Sequence, residues 1–335
     1  MIRDKLSRKF EYLRISITDK CNYRCSYCMP SDVFGSNHKF LKKDELLSYE
    51  EIIYIARELK HFGLRKIRLT GGEPMLRKNI QLLIGKLKNE AGIEEVHMTC
   101  NGSLLSKENI RELKRSGLDS ITISLDSISK HIGKKLNPTH TDNKKVIDNI
   151  YHVLDHYGTL KLNSVIIKNI NEQEIIPIVN QFKNDNVNIR FIEYMDVGES
   201  NNWDKDKVIT SNQIKKIISQ KYSIQQEPTI KSSTSEKWIL NNYAATLGFI
   251  SSISKPFCND CNRGRLSADG KFYTCLFSTF GHDLSNHIRN QDREMLRLFF
   301  QNIWSSRIDQ YSKLRSIANH PSNNASKIEM SYIGG

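Results

Sequence analysis

Tyr12-Leu13-Arg14-Ile15-Ser16-Ile17-Thr18 is followed closely by Cys21-Asn22-Tyr23-Arg24-Cys25-Ser26-Tyr27-Cys28. A strand period of two puts Leu13, Ile15 and Ile17 on one face of the first stretch and Arg14, Ser16 and Thr18 on the other. The cysteines come straight after its C-terminal end, where barrel enzymes keep their chemistry. Comparable β-rich runs recur at 66–70, 95–99, 120–125, 160–167 and 187–194, and stretches with helical spacing lie between them at 50–61, 80–87, 109–114, 145–154 and 175–182. This alternation predicts an α/β fold with a parallel sheet and right-handed crossovers, curled into an incomplete (βα)6 TIM-like barrel. Beyond Tyr222 the pattern breaks into short strands at 237–240 and 246–250, a cysteine-rich segment and one amphipathic helix around 294–304. A division into residues 1–222 and a smaller C-terminal domain, 223–335, follows.

Composition narrows the function classes. The 335 residues carry 50 Lys and Arg against 37 Asp and Glu, a net charge of +13, and 38% are hydrophobic, which excludes a disordered chain. No apolar run reaches the roughly 18 residues of a membrane span, and no apolar segment follows the basic start. The expectation is a cytoplasmic protein with no membrane partner. The seven cysteines fall as 21, 25 and 28, then 100 alone, then 258, 261 and 275, which does not suit a disulfide framework. Parity turns Cys100 away from the polar face and makes it a small buried residue.

Strands covered on both faces should be continuously aliphatic. Here every strand carries polar residues in alternate positions: Arg14, Ser16 and Thr18; Arg68 and Thr70; His97 and Thr99; Thr122, Ser124 and Asp126; Lys161 and Asn163; Arg190 and Tyr194. With the aliphatic faces under the helices, these point into the barrel. Buried cations persist only with anionic partners. The interior therefore reads as a cavity for an anionic ligand, and guanidinium forks favour phosphate.

Three thiolates within one short loop can hold a single inorganic centre. Structural zinc wants a fourth ligand that is not at hand before His38, whereas a [4Fe-4S] cluster on three cysteines leaves one iron open. The C-x3-C-x2-C spacing, Tyr27 before the last cysteine, and Gly71-Gly72-Glu73-Pro74 after the second run together resemble the radical S-adenosylmethionine superfamily. The resemblance implies that S-adenosylmethionine chelates the open iron, and that one electron cleaves it to a 5′-deoxyadenosyl radical.

Cys258 and Cys261 form a C-x2-C pair, and Asp269-Gly270 between two strand-like runs is a hairpin signal that returns Cys275 beside them. Spacing alone leaves zinc open there, with His282 as a fourth ligand. The two triplets, Arg263-Gly264-Arg265 between the later cysteines, Phe191-Ile192-Glu193-Tyr194-Met195-Asp196 and the terminal Gly334-Gly335 resemble the GTP 3′,8-cyclase family of molybdenum cofactor biosynthesis.

That resemblance implies two [4Fe-4S] clusters, one on Cys21, Cys25 and Cys28 and one on Cys258, Cys261 and Cys275, with the C-terminal domain closing the barrel. It implies S-adenosylmethionine at Tyr27, Gly72, Ser124 and Met195, and GTP at Arg14, Arg68, Thr99, Lys161, Arg263, Gly264 and Arg265, with Arg190 a weaker candidate. The radical takes hydrogen from C3′ of the ribose, C3′ joins C8 of guanine, and an electron and a proton complete 3′,8-cyclo-7,8-dihydro-GTP. No side chain is assigned as acid, base or nucleophile. An external electron donor, a downstream cyclic pyranopterin monophosphate synthase and a Gly-Gly tail that reaches the active site are implied, and a homodimer is left open. Cys100 stands where the family commonly has Thr, and Gly264 is a flexible spacer between two binding arginines.

Two alternatives stay in view. The +13 charge motivates a radical enzyme that modifies RNA, yet the basic pairs Lys42-Lys43, Lys114-Arg115, Lys134-Lys135, Lys144-Lys145 and Lys215-Lys216 are scattered and no RNA-binding module stands out, so nucleic acid is not expected as a partner. A non-enzymatic module with zinc in both triplets is the other, and iron loading discriminates it.

Overall fold

The computed structural model describes residues 1–139, 143–228, 233–315 and 327–334. Six strands alternate with helices in the first part of the chain: β1 (Tyr12–Ser16), α1 (Tyr49–Lys60), β2 (Lys66–Thr70), α2 (Ile80–Asn89), β3 (Glu95–Cys100), α3 (Lys107–Arg115), β4 (Ser120–Ser124), α4 (Lys130–Leu136), α5 (Asn143–Tyr157), β5 (Leu160–Ile166), α6 (Ile175–Phe182) and β6 (Val187–Glu193). Local chemistry sets these elements. Helix α1 starts at a capping box in which the Ser48 hydroxyl accepts from the Glu51 N–H at 3.1 Å and the Glu51 carboxylate accepts from the Ser48 N–H at 2.6 Å. Its Ile52, Ile53, Ala56 and Leu59 are buried as their spacing predicts. Leu13, Ile15, Ile17, Ile67, Leu69, Val96 and Met98 are all fully buried, so the aliphatic strand faces form the core beneath the helices. Cys100 joins that core at 3% exposure, on the aliphatic side.

The rest of the chain follows as α7 (Ser211–Ser219), β7 (Ile224–Gln226), β8 (Glu236–Leu240), β9 (Thr246–Ile250), β10 (Arg263–Leu266), β11 (Lys271–Tyr273), β12 (His282–Asp283), α8 (Ser285–Arg289), α9 (Arg293–Ser306), α10 (Tyr311–Leu314) and α11 (Met330–Ile333). The short strands at 237–240 and 246–250 and the hairpin across Asp269-Gly270 are found close to where the sequence put them, with Arg265 opposite Tyr273 and Leu266 opposite Phe272. Gly270 has φ +94°, the region such a turn favours.

One feature is not legible in the pattern. Among the described residues the strands make one sheet ordered β12-β11-β10-β1-β2-β3-β4-β5-β6-β9-β8-β7, in which β10 pairs in parallel with β1 and β9 in parallel with β6. The C-terminal segment thus extends the open barrel at both edges, and the sheet is not a closed barrel. Antiparallel β11–β12 and β7–β8 finish the two ends. None of the described helices is long and apolar enough to cross a membrane.

Candidate active site

The parallel pairing of β10 with β1 places Tyr12 opposite Arg263 and Arg14 opposite Arg265. On the other side of β1, Arg14 faces Arg68, which in turn faces His97. Register continues this polar face through Thr99 opposite Thr122, Thr122 opposite Lys161, and Asn163 opposite Arg190. Six strand pairings therefore gather the inward residues that parity selected together with Arg263 and Arg265.

Arg68 is held by neutral partners. Its Nε donates to the Tyr12 hydroxyl at 2.5 Å, and one Nη donates to the hydroxyls of Thr99 at 3.1 Å and Thr122 at 2.9 Å. Arg190 donates to the Asn188 side chain at 2.8 Å. Among the described residues, Arg68, Lys161, Arg190, Arg263 and Arg265 make no ion pair with a carboxylate. The cations bear on one another instead. Burial and then Arg190 and Arg68 push the Lys161 ammonium down to about 8. Burial, then Arg68 and Lys161, push the His97 imidazole down to about 4. Burial and Arg263 bring Arg265 to about 10, and burial and Arg265 take Arg14 well below its usual value.

The C-terminal residues reach this inward polar face. The Gly334 carbonyl accepts from Arg14 Nε at 3.0 Å and from Arg265 Nη1. Glu329 anchors the approach: its carboxylate accepts from the N–H groups of Glu199 and Ser200, both at 3.0 Å. Gly335 lies outside the described residues. Gly264 faces away from the cavity, where an added Cβ would sit 2.5 Å from Phe272 Cζ and 3.1 Å from Phe10 Cε2. Close aromatic packing, with strands paired around it, accounts for a glycine between Arg263 and Arg265.

Beyond β1, one turn gathers the first three cysteines. The Cys25 carbonyl accepts from Cys28 N–H at 3.0 Å and Met29 N–H at 2.9 Å, and Arg24 donates to the carbonyls of Cys21, Tyr23 and Phe34. Gly72 closes onto this loop, with its N–H on the Thr18 carbonyl at 2.7 Å and Glu73 N–H on the Lys20 carbonyl at 2.8 Å. A Cβ on Gly72 would lie 2.2 Å from that Lys20 oxygen, so the close approach requires glycine. Burial pushes Cys21 up to about 11, with Glu73 adding to it, and takes Cys25 and Cys28 well above the usual thiol value, with Asp126 and the neighbouring thiols adding to it. Tyr27 and Ser124 line a small cavity with Cys25 and Asp126, and the Tyr27 hydroxyl donates to Asp126 at 2.7 Å. Met195 packs in a separate apolar group with Cys275, Leu276 and Met330, beside the second triplet.

In the second triplet, a short turn places Cys261 N–H on the Cys258 carbonyl at 3.3 Å. Burial would raise the Cys261 thiol, but Arg263 and Arg307 bring it down to about 6. His282 stands on β12 opposite Phe272 and lines a cavity together with Cys275, Phe280 and Tyr311. Reading by motif did not find Tyr12, Arg24, Arg307 or the role of Glu73. Only Tyr12 had a usable signal, its parity with Arg14.

Two family models match the chain, Radical SAM superfamily over residues 15–182 and Molybdenum Cofactor Synthesis C over residues 187–313. A GTP 3′,8-cyclase of Staphylococcus epidermidis is 40% identical over 100% of this chain and 99% of its own length. One of Staphylococcus haemolyticus is 42% identical with the same coverage. This chain belongs to the GTP 3′,8-cyclase family. Streptococcus suis SuiB bound to S-adenosylmethionine, at 14% identity, shares the fold with a TM-score of 0.62 over 92% of this chain and 71% of that one.

The family's chemistry implies S-adenosylmethionine and a [4Fe-4S] cluster, and the first triplet fits such a cluster. Its donors are three thiols on one turn, each disfavoured as a bare thiolate by burial and by its neighbours. A cationic iron core would relieve that repulsion. The Gly71-Gly72 approach leaves backbone groups, without Cβ atoms, at the neighbouring strand end, which permits a ligand to come close.

Proposed function

We infer that this protein is a radical S-adenosylmethionine enzyme that converts GTP to (8S)-3′,8-cyclo-7,8-dihydroguanosine 5′-triphosphate, the first step of molybdenum cofactor biosynthesis. The observation that carries the substrate assignment is the inward row of Arg265, Arg14 and Arg68 across adjacent strands, lying between two cysteine triplets. A cavity with that surplus of positive charge calls for a polyanion, and a nucleoside triphosphate supplies one at the scale of a single barrel.

Cys21, Cys25 and Cys28 hold the first cluster in this reading, and Tyr27, Gly72, Ser124 and Met195 hold S-adenosylmethionine. Cys258, Cys261 and Cys275 hold a second [4Fe-4S] cluster. Cys261 fits electrostatically, since Arg263 and Arg307 lie against it and favour its thiolate, while burial pushes Cys275 up to about 12, as in the first triplet. When bound, these groups supply the one-electron chemistry that removes hydrogen from the ribose.

The chain's own residues position the substrate. Arg68, Lys161 and Arg190 take the triphosphate, with Thr99 steadying Arg68. Arg263 and Arg265 face the base and ribose beside the second triplet, Arg14 reaches the triphosphate beside Arg68, and Gly264 spaces the two arginines from the opposite face of β10. Gly334 shares Arg14 and Arg265 and closes the cavity against water. Holding C3′ and C8 in near-attack geometry within one molecule can lower the barrier by about 7 to 11 kcal/mol. The closed, cationic pocket retains the charged intermediate until an electron and a proton arrive.

The domain division at residue 222 stays part of this reading, supported by the antiparallel strand pairings of the described residues, which all join strands after it. So do a cytoplasmic setting, an external electron donor, and a downstream cyclic pyranopterin monophosphate synthase that consumes the product. Anaerobic incubation with GTP, S-adenosylmethionine and dithionite tests the assignment by mass spectrometry. The expected result is 5′-deoxyadenosine together with an isomer of GTP. Formation of 5′-deoxyadenosine without a GTP-derived isomer overturns it.

A further inference from the structure

Asp4, Arg8 and Arg307 form a buried charge cluster behind the second cysteine triplet. Their side chains are 0%, 1% and 1% exposed. Arg8 Nε donates to Asp4 at 2.6 Å, and its Nη1 donates to the carbonyls of Cys258 at 3.0 Å and Asp309 at 2.7 Å. Arg307, at the C-terminal cap of α9, donates one Nη to the Cys261 carbonyl at 2.9 Å and the other to the Cys261 sulfur at 3.4 Å. Its Nε is held by Asp309 at 3.0 Å, Asp4 lies 3.8 Å away, and its guanidinium stacks on Trp304 at 4.7 Å from the ring centroid.

Burying such a group of charges costs several kcal/mol unless all its members are satisfied. The cost is incurred here at one cysteine. Arg263 also donates to the Cys261 sulfur, at 3.5 Å, so this sulfur receives two guanidinium contacts from different elements. Arg307 is fixed on three sides and cannot swing toward the substrate cavity. Its one functional contact is the thiolate.

We propose that Arg307 is a positioning residue for the second cluster, fixing Cys261 and raising the cluster's reduction potential through an N–H···S hydrogen bond from a buried cation. The proposal rests on the second-cluster reading. Each electron added makes a thiolate-bound cluster more negative, so a buried cation with a donor on its sulfur favours the reduced form. Asp4 and Arg8 serve the same end by holding Arg307 and the Cys258 carbonyl in place.

The test uses the full-length chain carrying Cys21→Ser, Cys25→Ser and Cys28→Ser, reconstituted anaerobically with iron and sulfide so that only the second site can load. Redox titration followed by electron paramagnetic resonance reads its potential. Arg307→Gln should bind about four irons and favour reduction about tenfold less, about 59 mV lower for a one-electron couple. Arg307→Lys, which keeps the charge, should recover part of that shift. An unchanged potential and spectrum in Arg307→Gln overturn the proposal, as does an unchanged potential in Arg307→Met, a second neutral variant, if the Gln variant fails to load. If the parent variant takes up no iron, the second-cluster reading fails and the proposal falls with it.

Discussion

Arg14 Nε donates to the backbone carbonyl of Gly334 at 3.0 Å, tying the last described residue to the first strand inside the barrel. Gly334 has φ +71°, and an added Cβ would sit 2.4 Å from Thr70 Cγ2. A side chain there meets both a left-handed backbone penalty of about 1–3 kcal/mol and a wall of the cavity. The segment is anchored upstream, at Glu329 on Glu199 and Ser200 and at Tyr332 on Asp269, so the added Cβ displaces Gly334 itself from Arg14 and Arg265. Gly334→Ala should therefore lose cyclised product at least tenfold while keeping 5′-deoxyadenosine formation, read together by mass spectrometry. Equal loss of both products would instead mean that the tail serves the S-adenosylmethionine site.

Gly72 makes a sharper demand because its neighbours are backbone atoms. A Cβ would meet the Lys20 carbonyl oxygen at 2.2 Å and its carbon at 2.4 Å, on the loop that leads to Cys21. Backbone on both sides cannot move without breaking the bonds that join residues 18–20 to residues 72–73. Gly72→Ala is expected to abolish S-adenosylmethionine cleavage and to reduce the iron held by the first triplet. Normal iron content with normal cleavage in this variant would show that the loop has another place to go.

Much of this site was legible because strand parity and metal-ligand spacing are both local. Arg14, Arg68, Thr99 and Lys161 lie on the inward face that a period of two predicts, and Cys100 lies on the outward one. The sequence could not reveal that Arg263 and Arg265 stand beside Tyr12 and Arg14. That placement depends on a parallel pairing between strands some 250 residues apart in the chain, and no local pattern encodes which edge a late strand joins. Arg307 was hidden for the same reason: as a helix cap it looks like any surface arginine until the chain folds it against Cys261. Gly264 shows the converse, since its apparent flexibility disappears under the ring of Phe272.

Glu73 gives a pH signature of stability in the protein without cofactors. It is 1% exposed and accepts from the N–H groups of Asn101 at 2.7 Å and Met75 at 3.0 Å, yet burial raises its carboxyl from 4.5 to about 7. Between those values the folded state binds more protons than the unfolded state, so stability falls as pH rises through the window. The loss should be on the order of 1–3 kcal/mol by pH 7.5. Urea midpoints measured from pH 4.5 to 7.5 should decline less steeply in Glu73→Gln than in the parent. Parallel profiles would show that the carboxylate finds a compensating charge.

Lys161 supplies the last prediction, on substrate affinity. With its ammonium pushed down to about 8 by burial and by Arg190 and Arg68, it is charged at neutral pH and loses that charge within the range where the arginines keep theirs. A triphosphate would favour the protonated form, so GTP should bind more weakly as pH rises from 7.5 to 9, and binding below pH 8 should take up little proton. The unliganded protein should change in the opposite sense. Between about 8 and 10.5 the unfolded state binds the extra proton, so this lysine adds stability as pH rises. Calorimetric titration of GTP at pH 7, 8 and 9 reads the first effect and thermal unfolding reads the second. Lys161→Arg should retain binding and flatten both slopes. Equal slopes in the parent and Lys161→Arg would place the triphosphate away from Lys161 and leave Arg68 and Arg190 as its main contacts.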